Sequence, residues 1–290
     1  MNIKAFKQLD NNAYNEILNI EKICKQHDNL FGNVFLDTSL NVYPNIKSVF
    51  FLYDDGKLIS ILSMLIPTQQ EAEISAFTLP EYRHNGYFNI LLSKALQELR
   101  KFNIQDILFV CERQSISGKI VIASLNAHYD FSEYLMRFRE EGYTPGNICR
   151  LSLIKPSLKD LEKIIDISMR SFDDSYEDAK SRVDDCRESN LREQYLAVLN
   201  DNIIGLCSIN LEEDEVSIFG LGIVPEYRRR GYGKELLHLA VDSLMQRGKS
   251  KISLMVNHEN SSAIELYKQS GFQIAATFEY YRKKVGVQRK

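Results

Sequence analysis

Pro80-Glu-Tyr-Arg83-His-Asn-Gly86-Tyr87 recurs as Pro225-Glu-Tyr-Arg228-Arg-Arg-Gly231-Tyr232, with six of eight positions identical at an offset of 145 residues. The chain has 290 residues, so the offset is half its length and the string marks an internal duplication. The flanks repeat with it. Upstream, Asp54-Asp-Gly56 and Asn200-Asp-Asn202 each separate two apolar runs, at an offset of 146. Asn, Asp and Gly tolerate positive φ, so both triplets read as hairpin turns. Downstream, Leu91, Leu92, Ala95, Leu96 and Leu99 fall at helical spacing, and Leu236, Leu237, Leu239, Ala240, Leu244 and Met245 do the same. Each half then shows a short apolar strand, Ile107 to Val110 and Ile252 to Val256, followed by a second helix and an aromatic closing strand.

Each half therefore reads strand, helical region, hairpin, strand, turn, helix, strand, helix, strand. Elements mixed in this order define an α/β (α+β) sandwich of moderate size. The opening helix, Tyr14 to Cys24, carries Ile17, Leu18, Ile20 and Ile23 as an apolar stripe for core packing. The second half begins with a strand from Ile148 to Ile154, and Pro156 and Ser157 open a helix from Leu158 to Met169. The join, Glu140 to Asn147, is rich in turn formers. It places the boundary near Gly146, giving domains 1–145 and 146–290.

Composition narrows the class. Hydrophobic residues make up 44 % and charged residues 26 %, which excludes disordered, collagen-like and low-complexity chains. A formal charge of −3 argues against a general nucleic-acid binder. The longest nearly apolar stretch, Leu58 to Pro67, is far short of the roughly 20 residues that span a bilayer. The first ten residues lack the apolar core of a secretory signal. Five scattered cysteines, Cys24, Cys111, Cys149, Cys186 and Cys207, match neither a zinc spacing nor a disulfide framework. The expectation is a cytoplasmic protein with no metal, no nucleic-acid partner and no membrane partner.

The strongest chemical signal is Arg228-Arg229-Arg230-Gly231-Tyr232-Gly233-Lys234, between the apolar strand Val216 to Val224 and a helix. Glycines let the backbone approach a ligand closely. The first amides of a helix are unpaired, and the helix dipole favours an anion there. Three arginines add charge-assisted bonds to phosphate. The pattern suits a diphosphate group, yet it is neither a P-loop nor a Rossmann fingerprint, because the required glycine spacing is missing.

The segment Leu221-Gly-Ile-Val-Pro-Glu-Tyr-Arg-Arg-Arg-Gly-Tyr-Gly233 resembles the acyl-coenzyme A signature of the GCN5-related N-acetyltransferase family, with Arg228, Gly231 and Gly233 at its defining places. Val256-Asn-His-Glu-Asn260-Ser-Ser-Ala263-Ile-Glu-Leu-Tyr267-Lys-Gln-Ser-Gly271-Phe272 resembles a second family pattern. The resemblance covers nearly all of 148–290 and extends more weakly, through the repeat, to 1–145. It implies two tandem domains, each a mixed, mostly antiparallel sheet flanked by helices. It also implies acetyl-CoA as co-substrate and a small-molecule or peptide amine as acceptor.

By that resemblance, the backbone of Leu221, Gly222 and Ile223 pairs with the pantetheine arm where the sheet splays. Arg228, Arg229, Arg230, Gly231, Tyr232 and Gly233 wrap the pyrophosphate. Asn260 bonds the cofactor arm near the thiol, and a backbone amide on the splayed strand holds the oxyanion. Tyr267 is the residue for proton transfer, since a phenol of pKa about 10 can protonate a departing thiolate. Glu215 and His258 are the candidate general bases, beside deprotonation through water. Family members that acetylate protein N-termini often carry a glutamate five residues before the asparagine. Met255 stands there, which counts against that acceptor class.

The first half departs from the pattern. Phe88 replaces the second small residue and only Arg83 remains of the arginine cluster. At offset 146, Val121 matches Tyr267, Gln114 matches Asn260, and Leu125 and Asn126 match Gly271 and Phe272. The first half is therefore expected to be non-catalytic and structural, forming one wall of an acceptor pocket. A non-catalytic acyl-CoA-binding or sensing protein is the alternative, and a transferase using charged tRNA is a further one that would not need the intact glycine turn. Oligomeric state is left open by the sequence.

Overall fold

The computed structural model describes residues 1–141, 143, 150–157, 160–211 and 215–286. The first half runs β1 (Asn2–Phe6), α1 (Asn11–Asp28), β2 (Val49–Asp54), β3 (Lys57–Leu65), β4 (Glu71–Thr78), α2 (Tyr87–Lys101), β5 (Asp106–Glu112), α3 (Ile116–Leu125) and β6 (His128–Phe138). The second runs β7 (Ser152–Ile154), α4 (Leu161–Phe172), α5 (Tyr176–Glu188), β8 (Arg192–Leu199), β9 (Asn202–Leu211), β10 (Val216–Ile223), α6 (Tyr232–Gln246), β11 (Ile252–Asn257), α7 (Ser261–Gln269) and β12 (Phe272–Lys284). The mixed α/β class read from the sequence is the class observed. The start of the strand expected from Ile148 and the helix start at Leu158 lie outside the described residues.

Contacts divide the chain into two compact units, one of Met1–Glu133 with Ala276–Lys290 and one of Tyr134–Ala275. The boundary expected near Gly146 lies outside the described residues. The contact division falls within the two closing strands, β6 and β12.

In the first unit the sheet order is β1-β2-β3-β4-β5-β12-β6. The pairs from β1 to β4 and the β5/β12 pair are antiparallel, while β4 and β5 are parallel. The core takes Ile17 and Ile20 from α1, Phe51 and Leu62 from the central strands, and Leu91 and Ala95 from α2. Val49 to Tyr53 of β2 are all buried, the pattern of a strand covered on both faces. The second unit repeats the plan as β7-β8-β9-β10-β11-β6, with β10 and β11 the parallel pair. Its added element is α5, started by the Ser175 hydroxyl accepting from the Asp178 amide. Over 29–48 the first unit forms only a short 3-10 turn, Thr38–Leu40.

Backbone conformation corrects the register of the repeat. The hairpin residues with positive φ are Asp55 and Gly56 in one unit and Asn200 and Asp201 in the other. His84 and Arg229, Gly86 and Gly231, Asn103 and Gly248, and Asn126 and Gly271 are further left-handed pairs. All are 145 apart, so the offset of 146 read at the hairpin and in α3 is one residue out. Runs of small polar residues look alike at neighbouring registers, whereas a left-handed turn residue has one place.

Each parallel pair stands in mid-sheet and soon parts. The β4/β5 pairing runs from Glu71 opposite Asp106 to Ile74 opposite Phe109. The β10/β11 pairing covers only Val216 opposite Ile252 and Ser217 opposite Ser253. The register of β10 against β9 shifts between Phe219 and Gly222, where Gly220 takes φ 54°, a bulge that re-aims the end of the strand. β4 shows no such shift against β3.

Candidate active site

The glycine turn lies where β10 hands over to α6. A 3-10 turn, Pro225–Tyr227, leads to Arg228. Arg229 (φ 62°) and Gly231 (φ 85°) then reverse the chain into the helix. No side chain caps α6, and its first helical bond runs from the Glu235 amide to the Gly231 carbonyl. The amides of Tyr232, Gly233 and Lys234 therefore have no partner within the helix, and the helix dipole makes this end attractive to an anion. A side chain at residue 231 would bring its Cβ to 3.4 Å from the Arg150 guanidinium, in a backbone conformation that favours glycine.

Arg228 points away from that end. Its Nε donates to the Ile223 carbonyl at 2.8 Å and its Nη2 to the Ser171 carbonyl at 2.9 Å, bracing the turn against β10 and α4. Arg83 behaves alike in the first unit. It donates to the Thr78 carbonyl at 3.1 Å and grips Asp28 through two bonds of 2.9 and 2.6 Å. The arginine of the repeated string is thus a structural brace in both units. Arg229 and Arg230 are exposed on the turn.

Arg150 was not singled out in the sequence. Its guanidinium lies 4.4 Å from the centre of the Tyr232 ring, donates to the Arg230 carbonyl and pairs with Glu235 at 2.9 Å. An isolated arginine at the end of a turn-rich join carries no pattern that would reveal this position.

Leu221, Gly222 and Ile223 form the end of β10. Gly222 pairs with Leu206 and Ile223 with Gly205 along the β9 side, which leaves the other edge of β10 facing the splay. A Cβ on Gly222 would lie 2.8 Å from the Ser171 Cβ and 2.9 Å from the Phe172 ring, so the end of α4 packs directly on this strand. Across the splay, Asn260 caps α7 by accepting from the Ala263 amide and the Ser262 hydroxyl, each at 3.1 Å. Its amide nitrogen is not used by that cap. Leu266 of α7 reaches towards the glycine turn, 3.3 Å from where a Gly233 Cβ would stand.

Tyr267 follows on the same helix, half-buried, with its ring 6.2 Å from that of Phe272. Burial pushes its phenol up, so it holds its proton at neutral pH. His258 lies in the turn between β11 and α7. Glu215 stands before β10 and forms a two-bond ion pair with Arg137 of β6 at 2.9 and 2.8 Å. Six residues separate Val216 from Gly222, about 20 Å of strand, so Glu215 and the splayed edge are at opposite ends of β10.

The first unit keeps the turn and loses the rest. Gly86 (φ 78°) starts α2 without a side-chain cap, as Gly231 starts α6. Ser115 caps α3 by accepting from the Gly118 amide, which makes Ser115, not Gln114, the counterpart of Asn260. At the same register Ile122, not Val121, stands where Tyr267 stands, and Asn126 matches Gly271. No tyrosine occupies that place.

Cys24, Cys111, Cys186 and Cys207 are free and buried, and Cys149 lies outside the described residues. Among the described residues no helix is long and apolar enough to cross a membrane. No group of three or more His, Cys, Asp or Glu side chains among them is arranged to hold a metal ion.

A family model described as "Acetyltransferase (GNAT) family" matches the chain twice, over residues 14–116 and 161–272. The chain belongs to the acetyltransferase (GNAT) family. It is 32 % identical over 96 residues to the [ribosomal protein bS18]-alanine N-acetyltransferase of Escherichia coli, a match covering 32 % of this chain and 65 % of that protein. It is 30 % identical over 81 residues to the mycothiol acetyltransferase of Clavibacter sepedonicus, covering 28 % and 27 % of the two chains. The chain thus spans less than two thirds of the length of either relative. Among solved structures, a tandem GNAT protein from the clavulanic acid biosynthesis pathway superposes with a TM-score of 0.78 at 12 % identity, over 99 % of both chains. A GCN5-related N-acetyltransferase from Sphaerobacter thermophilus gives 0.77 at 15 % identity, over 99 % of this chain and 96 % of that one. At these identities the structures establish the fold.

Proposed function

We propose that the second unit transfers an acetyl group from acetyl-CoA to a primary amine of a small molecule or peptide. The observation that carries this reading is the splayed end of β10 beside the uncapped start of α6, with Tyr267 on the helix across the splay. The free amides of Tyr232, Gly233 and Lys234, with the exposed Arg229 and Arg230 beside them, suit a pyrophosphate. The open edge of Leu221, Gly222 and Ile223 suits the amide groups of a pantetheine arm, and the Asn260 amide nitrogen can donate to it. The amine attacks the thioester carbonyl, a C–N bond replaces the C–S bond, and the sulfur leaves with a proton from Tyr267. The amine loses its proton to solvent or to His258. Glu215 is assigned the Arg137 ion pair in place of the role of base. The first unit takes no part in the chemistry, since Ile122 replaces the tyrosine.

Calorimetric titration with acetyl-CoA tests the reading. One site per chain is expected, abolished by Gly231→Glu and kept in Gly86→Glu. Tyr267→Phe is expected to lower turnover by about a hundredfold while acetyl-CoA affinity is unchanged. Absence of binding at millimolar acetyl-CoA overturns the proposal, and unchanged turnover in Tyr267→Phe removes the assigned acid.

A further inference from the structure

The first unit contains a cavity of about 390 Å³ at the splay of β4 and β5. Its apolar walls include Ile74 and Phe77 of β4, Phe109 of β5, Val121 and Ile122 of α3, and Phe278 of β12. The volume lies in the range of about 300–1,000 Å³ typical of small-molecule sites. We propose that this cavity binds an uncharged, mainly apolar small molecule, and that it no longer accepts a nucleotide thioester.

At the 145-residue register the two units differ at both ends of the splay. The end that would take a diphosphate is altered. Phe88 stands in place of Gly233 and lines the cavity, and His84 and Asn85 replace Arg229 and Arg230. The opposite end carries no phenol, because the smaller, apolar Ile122 stands in place of Tyr267 and lines the cavity. The outer face of α3 changes in the same sense. Ser261 and Glu265 of α7 correspond to Ile116 and Ile120, which are 77 % and 54 % exposed, and Ile120 also borders the cavity.

The acids and the arginine that touch the cavity are already satisfied. Asp28 and Arg83 bind each other. The buried Glu112 carboxylate accepts from the amides of Phe31 and Gly32, at 2.9 and 3.0 Å, and from the Gln114 side chain. Those bonds also fasten the segment after α1, whose Leu30 and Val34 close one side of the cavity. The Val34 amide is anchored in turn on Glu21 at 2.6 Å. The cavity is thus preformed, with no arginine or lysine left over for a phosphate, and at the uncapped start of α2 the Phe88 side chain stands where α6 has Gly233. Burial of apolar ligand surface is the driving force it can supply, at about 25 cal/mol per Å².

The test uses the full chain and phenylnaphthylamine, an uncharged fluorophore. The expected result is saturable binding at one site per chain, displaced by decanol, unaffected by millimolar acetyl-CoA and retained in Gly231→Glu. Val121→Trp and Ile122→Trp, which fill the cavity, are expected to weaken the probe by about tenfold or more. Either variant could disturb α3, so the competition on the unaltered chain decides independently of them. The proposal is overturned if no saturable binding occurs, if acetyl-CoA displaces the probe from the Gly231→Glu protein, or if both tryptophan variants, with unchanged melting temperature, bind it as before. These outcomes do not depend on whether the second unit transfers acetyl groups.

Discussion

Replacing Gly222 by alanine probes the packing that shapes the splay. The new methyl would stand 2.8 Å from the Ser171 Cβ and 2.9 and 3.0 Å from two Phe172 ring carbons, against an optimum of about 3.5–4.0 Å. The ring cannot simply swing aside, because the Arg182 guanidinium lies 4.9 Å from its centre and is itself tied to Asp174 at 2.7 Å. Relief therefore requires the last turn of α4, or the end of β10, to move by roughly 0.5–1 Å. Overpacking of this kind costs about 1–3 kcal/mol, and the lower chain entropy of alanine when unfolded returns about 0.4–1 kcal/mol. The net loss is about 1–2 kcal/mol, or a melting point lower by roughly 2–8 °C. The same movement displaces the free edge of Leu221 to Ile223, so acetyl-CoA affinity should fall by about tenfold or more. Differential scanning calorimetry and calorimetric titration give the two quantities. Gly205→Ala should be worse than Gly222→Ala, because its Cβ would meet the Gly222 carbonyl oxygen at a separation no backbone allows. A Gly222→Ala protein with unaltered stability and affinity, or the reverse ranking of the two variants, would refute the reasoning.

Three further outcomes are expected. Arg228→Met should lower the urea midpoint by an amount equivalent to about 1–3 kcal/mol, because it removes the donors to Ile223 and Ser171. The salt dependence of acetyl-CoA affinity should stay as it was, and a flattened salt slope at unchanged stability would make Arg228 a phosphate ligand after all. Glu215→Gln should cost less than about 1 kcal/mol and leave the pH–rate profile intact, whereas loss of one limb of that profile would restore Glu215 as a base. Burial of Glu21 raises its carboxyl to about 6. The raised group contributes stability below about pH 4.5 that is lost as pH rises through 6. Relative to the unaltered chain, Glu21→Gln should therefore gain about 2 kcal/mol between pH 4 and pH 8. A difference independent of pH in urea titrations would count against that account.

Much of the plan was legible because each unit obeys local rules. The repeated Pro-Glu-Tyr-Arg string, the helical spacing of Leu236 to Leu244 and the glycine at 231 all signal structure through steric and hydrophobic requirements that a single segment carries. The strand-turn-helix setting of Gly231 was readable for the same reason. The direction of the Arg228 side chain was not, since an arginine beside a glycine turn can reach a phosphate or a carbonyl equally well and only the position of α4 decides. Arg150 and the Glu215–Arg137 pair join residues 85 and 78 positions apart, a distance at which no spacing rule operates. The cavity in the first unit was hidden for a related reason. Phe88 and Val121 read as losses when set against the second half, and only the common placement of Phe88, Val121 and Ile122 around one space gives the change a positive meaning.

The sharing of the closing strands has a consequence for how the polypeptide is made. On the side away from β4 the partner of β5 is β12, and the ion pairs Arg113–Glu279 and Lys284–Asp106 span 166 and 178 residues. At about 5–20 residues per second, a ribosome delivers β12 roughly ten to thirty seconds after β5 has emerged. Throughout that interval the hydrogen-bonding edge of β5 is uncovered and can recruit a strand from another nascent chain. Synthesis of the thirteen-residue strand β12 is therefore the event that covers β5 and completes the sheet of the unit begun first.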